Sequence, residues 1–102
     1  MRLTHIQKQV ICESAVKYFG ADAHVWLFGS RVDDESKGGD IDLYIESQSQ
    51  DAAGLITAKL QFLRECHKKI GEQKIDVVLR RAGQSLDLPI YRIARQTGVL
   101  LQ

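Results

Sequence analysis

Apolar residues recur with two different periods along the chain, and the changes of period mark its elements. Between Thr4 and Phe19, the residues Ile11, Cys12, Ala15, Tyr18 and Phe19 fall on one helical face, which Ile6 and Val10 widen. Thr4 and Gln7 fit a capping box at the start of this helix, and Gly20 fits its stop. His24-Val25-Trp26-Leu27-Phe28 is a nearly continuous apolar run, as expected for a buried strand ended by Gly29-Ser30. The next stretch is polar and rich in charge. Its first part suits a short helix, and Lys37-Gly38-Gly39 suits a flexible end. From Ile41 to Glu46 the period becomes two. Ile41, Leu43 and Ile45 take one side of this second strand, and Asp40 and Asp42 the other.

After a polar loop, 47–51, Asp51 is a suitable N-cap for a helix that reaches Ile70 and stops at Gly71. Leu55, Ile56, Phe62, Leu63, Cys66 and Ile70 form its inner face; Thr57, Gln61, Arg64, Glu65 and Lys68 face water, and Lys59 snorkels from the apolar side, with a phosphate or partner contact as the alternative. Lys74 to Leu79 reads as a third strand, followed by a loop over 80–84 that begins with two arginines. Asp87 is placed to cap a last helix with Pro89 in its first turn, Ile90, Ile93, Ala94 and Thr97 inside, and Arg92 and Arg95 outside. Gly98 stops it, and 99–101 suits a short final strand. The order α-β-β-α-β-α predicts an α+β fold, an α/β sandwich with helices packed on a small mixed sheet, as one domain over 1–102.

Composition narrows the class without deciding it. The 102 residues are 44% apolar and 26% charged, an ordinary globular balance, with 14 basic against 13 acidic side chains. That near-neutrality gives no drive toward nucleic acid, and neither an apolar run of spanning length nor a leader pattern is seen. The expectation is a cytoplasmic protein with no membrane partner, whose Cys12 and Cys66 are reduced, packed thiols. Arg64, Lys68, Arg92 and Arg95 read as solvated helix faces, with a partner contact as the alternative.

The chemistry lies in the carboxylates. Two like charges on one side of a strand repel, and a divalent cation resolves the repulsion. If the first two strands are antiparallel, Gly29 and Ser30 lie beside Asp40 and Asp42. The long helical crossover suits a third strand parallel to the second, which brings Asp76 to the same end. Three carboxylates suit Mg²⁺, and two such ions about 4 Å apart clamp the attacking and leaving oxygens of a phosphoryl displacement. A glycine turn with a serine hydroxyl suits the phosphates of the same substrate.

Leu27-Phe28-Gly29-Ser30-Arg31 followed by Asp40-Ile41-Asp42-Leu43-Tyr44-Ile45 resembles the signature of the DNA polymerase β-like nucleotidyltransferase superfamily. The length and the ending from Tyr91 to Leu101 resemble its minimal nucleotidyltransferase (MNT) branch. The resemblance implies the nucleotidyltransferase fold, a nucleotide site at Gly29, Ser30 and Arg31, and catalytic, metal-ligating roles for Asp40, Asp42 and Asp76 with two Mg²⁺. It further implies ATP as substrate and a HEPN-domain toxin as partner, the chain being its antitoxin and transferring AMP to a hydroxyl of it. The chain departs from the branch in having Gly39 before Asp40 and Val32-Asp33 after Arg31. Arg31 and Lys37 are candidates to neutralise phosphate charge. Its shortness favours a protein acceptor, or a site completed in a homo- or hetero-oligomer. The alternatives are an antitoxin that neutralises by contact alone and an aminoglycoside-type adenylyltransferase.

Overall fold

The computed structural model describes residues 3–29, 40–49, 51–71, 73–81 and 87–102. The elements are α1 (His5–Phe19), β1 (His24–Phe28), β2 (Ile41–Ser47), α2 (Ala52–Ile70), β3 (Ile75–Arg81), α3 (Pro89–Thr97) and β4 (Val99–Leu100). This is the expected α+β order, with a four-stranded mixed sheet arranged β3-β2-β1-β4. The connection 31–39, expected as a short helix with a flexible end, lies outside the described residues. So do Gln50 and the 82–84 part of the expected loop.

Sheet pairing follows from the connections. β1 and β2 are antiparallel, with Phe28 opposite Asp42 and Trp26 opposite Tyr44. The α2 crossover returns the chain parallel to β2, so Asp42 stands opposite Asp76 and Tyr44 opposite Val78. β4 closes the far edge against β1.

One side of the sheet is packed by α1 and α2. Val25, Leu27, Ile41, Leu43 and Ile45 are wholly buried there with Ile11, Ala15, Phe62 and Cys66. The α1 capping box forms as expected, Thr4 and Gln7 each accepting from the other's backbone N–H. Ile6 is the exception on that helix, 65% exposed at its first turn. Ile56 is likewise 63% exposed rather than inward on α2, where Ala58 takes the buried position. Glu65 does not simply face water. It accepts hydrogen bonds from Ser14, Lys17 and Tyr18, tying α2 to α1. Cys12 and Cys66 are free thiols, as expected.

The opposite side carries α3, and here three expectations need correction. Arg80 and Arg81 belong to β3 rather than to a loop, because the parallel ladder continues to Ser47–Arg81. Leu88, not Asp87, occupies the N-cap of α3, since Asp87 is held by Arg80 and Arg95. On the inner stripe of α3, Ala94 is buried and Ile90 partly buried as expected, but Ile93 is half exposed, Thr97 is exposed, Tyr91 is buried and Arg95 turns inward to Glu46 and Tyr44. Tyr44 stacks between Trp26 and Tyr91, with ring centroids 5.3 and 5.6 Å away. Ile90 packs partly buried against the same cluster. Among the described residues no helix is long and apolar enough to cross a membrane.

Candidate active site

The sheet itself builds the site. Alternation on β2 sends Asp42, Tyr44 and Glu46 to the α3 side, while Ile41, Leu43 and Ile45 fill the core. α3 covers Tyr44 and Glu46 but leaves Asp42 half-buried at the strand's start. Asp76 is its exposed partner across the parallel ladder. One rung earlier the register places Lys74 beside Asp40, fixed by the hydrogen bond from the Ile41 N–H to the Lys74 carbonyl at 3.0 Å. The Lys74 ammonium then lies 3.3 Å from the Asp40 carboxylate.

Gly29 closes the third side. It directly follows Phe28, the residue opposite Asp42, and its φ of +77° lies in the left-handed region. A Cβ built there would overlap the Asp42 carboxylate. Glycine is therefore favoured for its backbone angle, and its bare Cα lets the Asp42 carboxylate lie close. Ser30 and Arg31, the other expected nucleotide-binding residues, lie outside the described residues.

The family model for the nucleotidyltransferase domain matches residues 10–97, a span that holds Gly29, Asp40, Asp42, Lys74 and Asp76. The chain belongs to this nucleotidyltransferase family. No curated protein matches it.

Nucleotidyltransferase domains generally use a nucleoside triphosphate and Mg²⁺. Burial raises the Asp42 pKa above the ordinary carboxylate value, and the charges of Asp76 and Asp40 push it further up, against a lowering by Lys74. The donors are all hard oxygens, suited to Mg²⁺, and a bound cation would offset the repulsion at Asp42 and favour its ionised form. Yet among the described residues no three carboxylate, imidazole or thiol groups are gathered closely enough to hold a metal ion as they stand. The register brings Asp42 and Asp76 together as the pattern predicts, whereas Asp40 is engaged by Lys74. The chemistry of the donors fits, and the third donor is held by an internal cation.

Lys74 is the residue that sequence reasoning passed over. Its signal was present: in Lys74-Ile75-Asp76 the period of two puts the lysine on the side of the aspartate. Hydrogen bonding to Asp40 raises its pKa, and the charges of all three carboxylates act in the same direction.

Proposed function

We infer that this nucleotidyltransferase moves AMP from ATP, with Mg²⁺, to a hydroxyl of a partner protein, and that the partner is a HEPN-domain toxin of which this chain is the antitoxin. The observation that carries the transfer reading is the pairing of Asp42 with Asp76 across β2 and β3, with Gly29 set against Asp42. Protein acceptor and antitoxin role rest on the resemblance to the MNT branch. The family match over residues 10–97 supports nucleotidyl transfer in general.

In this reading Gly29, with Ser30 and Arg31, receives the phosphates, the bare glycine backbone giving them close access. Asp40, Asp42 and Asp76 would hold the ions, which when bound neutralise phosphate charge and favour ionisation of the acceptor hydroxyl. Asp76, exposed at the start of β3, accepts the hydroxyl proton. The acceptor oxygen forms a bond to the α-phosphorus, the bond from that phosphorus to the bridging oxygen breaks, and pyrophosphate leaves.

One observation favours a second reading, an antitoxin acting by contact alone: Asp40 is paired with Lys74 and no ready three-carboxylate metal group is seen among the described residues. Incubation with α-labelled ATP, Mg²⁺ and the partner protein separates the two. Label on the partner that disappears with Asp42→Asn supports transfer. Neutralisation that survives Asp42→Asn with no label transferred supports contact. Label on an added aminoglycoside instead would move the acceptor to a small molecule.

A further inference from the structure

We propose that Lys74 is the resident counter-ion of the carboxylate cluster, holding Asp40 until a divalent cation arrives, and that the phosphates of the bound nucleotide draw it away. This rests on the metal-and-nucleotide reading above and adds a residue to it.

Three features of the geometry support the role. Lys74 is the one cation that forms an ion pair with Asp40, Asp42 or Asp76 among the described residues. Its backbone is fixed by the β2–β3 ladder, so its ammonium is tethered beside the cluster. Its side chain is 68% exposed and that of Asp40 40%, so the contact can open without disturbing the core. A flexible lysine stem ending in a hydrated point charge is suited to such an exchange of partners.

The consequence is a coupling between two ligands. A divalent ion that arrives alone must take Asp40 from Lys74. An ion that arrives with a nucleotide brings phosphates that pair with the displaced ammonium. Nucleotide therefore tightens metal binding, and metal tightens nucleotide binding by the same factor. Lys74 would keep the carboxylates from capturing ions when there is no substrate to act on.

The test is a Mn²⁺ titration, read by calorimetry and by the loss of free-ion electron paramagnetic resonance signal, with and without a non-hydrolysable ATP analogue. Wild type, Lys74→Gln, Lys74→Arg and Asp42→Asn are compared, with circular dichroism checking that each is folded. Lys74→Gln is expected to bind Mn²⁺ alone roughly three- to fivefold more tightly, the scale of one exposed ion pair, and to gain less from the analogue. Lys74→Arg, which keeps the charge, should bind Mn²⁺ alone no more tightly than wild type. Mn²⁺ binding that Asp42→Asn abolishes and Lys74→Gln leaves unchanged or weakens would overturn the role of Lys74 while the metal reading stands. No Mn²⁺ binding by wild type, with or without the analogue, would overturn both.

Discussion

Gly29 stands so close to Asp42 that any side chain at Gly29 would overlap the Asp42 carboxylate. The contact joins the end of β1 to the start of β2 and fixes where the carboxylate can lie. Gly29→Ala adds a methyl group there and also forces a left-handed φ, a strain of about 1–2 kcal/mol for a residue with a Cβ. It should lower the denaturant midpoint, and it should lower transferase activity by more than the lost stability explains. Adding Asp42→Ala should recover the overlap part of the stability loss and leave the backbone part, which a double-mutant cycle would read.

Asp42 is half-buried beside two other carboxylates, an arrangement that costs stability and is expected to serve chemistry. Asp42→Asn keeps the shape and removes one charge from the cluster. In the absence of divalent ions the variant should therefore melt above wild type at neutral pH, while its transferase activity falls by about a hundredfold or more. Differential scanning calorimetry with a chelator present, together with a labelled-ATP assay, checks both halves. A lower melting temperature would show that the carboxylate contributes net stability instead.

The wholly buried Tyr44 hydroxyl donates to Glu46 at 2.6 Å and accepts from Arg95 at 3.4 Å. Tyr44→Phe keeps the ring between Trp26 and Tyr91 and should cost about 1 kcal/mol, the net worth of a buried hydrogen bond. Burial, and then the Glu46 carboxylate, pushes the Tyr44 phenol from its usual value of 10.0 up to about 12. Because the folded value is the higher, the protonated phenol's contribution is complete below pH 10 and is lost as pH rises toward about 12. Alkaline unfolding of Tyr44→Phe should accordingly be less steep over that interval than that of wild type.

Glu65 links the two helices under the sheet, and the Lys17 ammonium at 2.8 Å holds its carboxyl below the usual value of 4.5. A depressed carboxylate stabilises the fold above its unfolded pKa, and the effect disappears as pH falls through the folded one. Urea midpoints of wild type and Glu65→Gln should therefore differ at pH 7, with the variant lower. They should converge once the solution is acid enough to protonate Glu65. A gap that persists unchanged in acid would mean that the carboxylate's charge contributes nothing.

Much of this was readable from local pattern. Alternation in β2 sets which side Asp42 takes, and the length of the α2 crossover suits β3 as its parallel neighbour, so the pairing of Asp42 with Asp76 was legible in the pattern. The α3 side of the sheet was harder. Its sequence places Ala94 and Ile90 inward correctly but offers Ile93 and Thr97 where Tyr91 is the buried residue, because the nearby Tyr44 ring makes an aromatic contact that helical periodicity alone cannot anticipate. Arg80 looked like a loop residue for a similar reason. Its place in β3 depends on a ladder partner, Glu46, thirty-four positions earlier, and on Tyr91, whose ring lies 5.0 Å from its guanidinium. Lys74 was visible in parity, but its value as a counter-ion came only from the register that sets it beside Asp40.

The same alternation limits how this chain can tolerate insertions and deletions. Ile41, Leu43 and Ile45 are fully buried on one side of β2, and the aspartates occupy the other. A one-residue slip of β2 would bury Asp42 and expose three core side chains, so no half-correct register is stable enough to persist. Errors of alignment at the aspartate end of β2 are thus rejected by the hydrophobic core on the other side of the sheet. Proofreading of the site's geometry falls to residues that take no part in its chemistry.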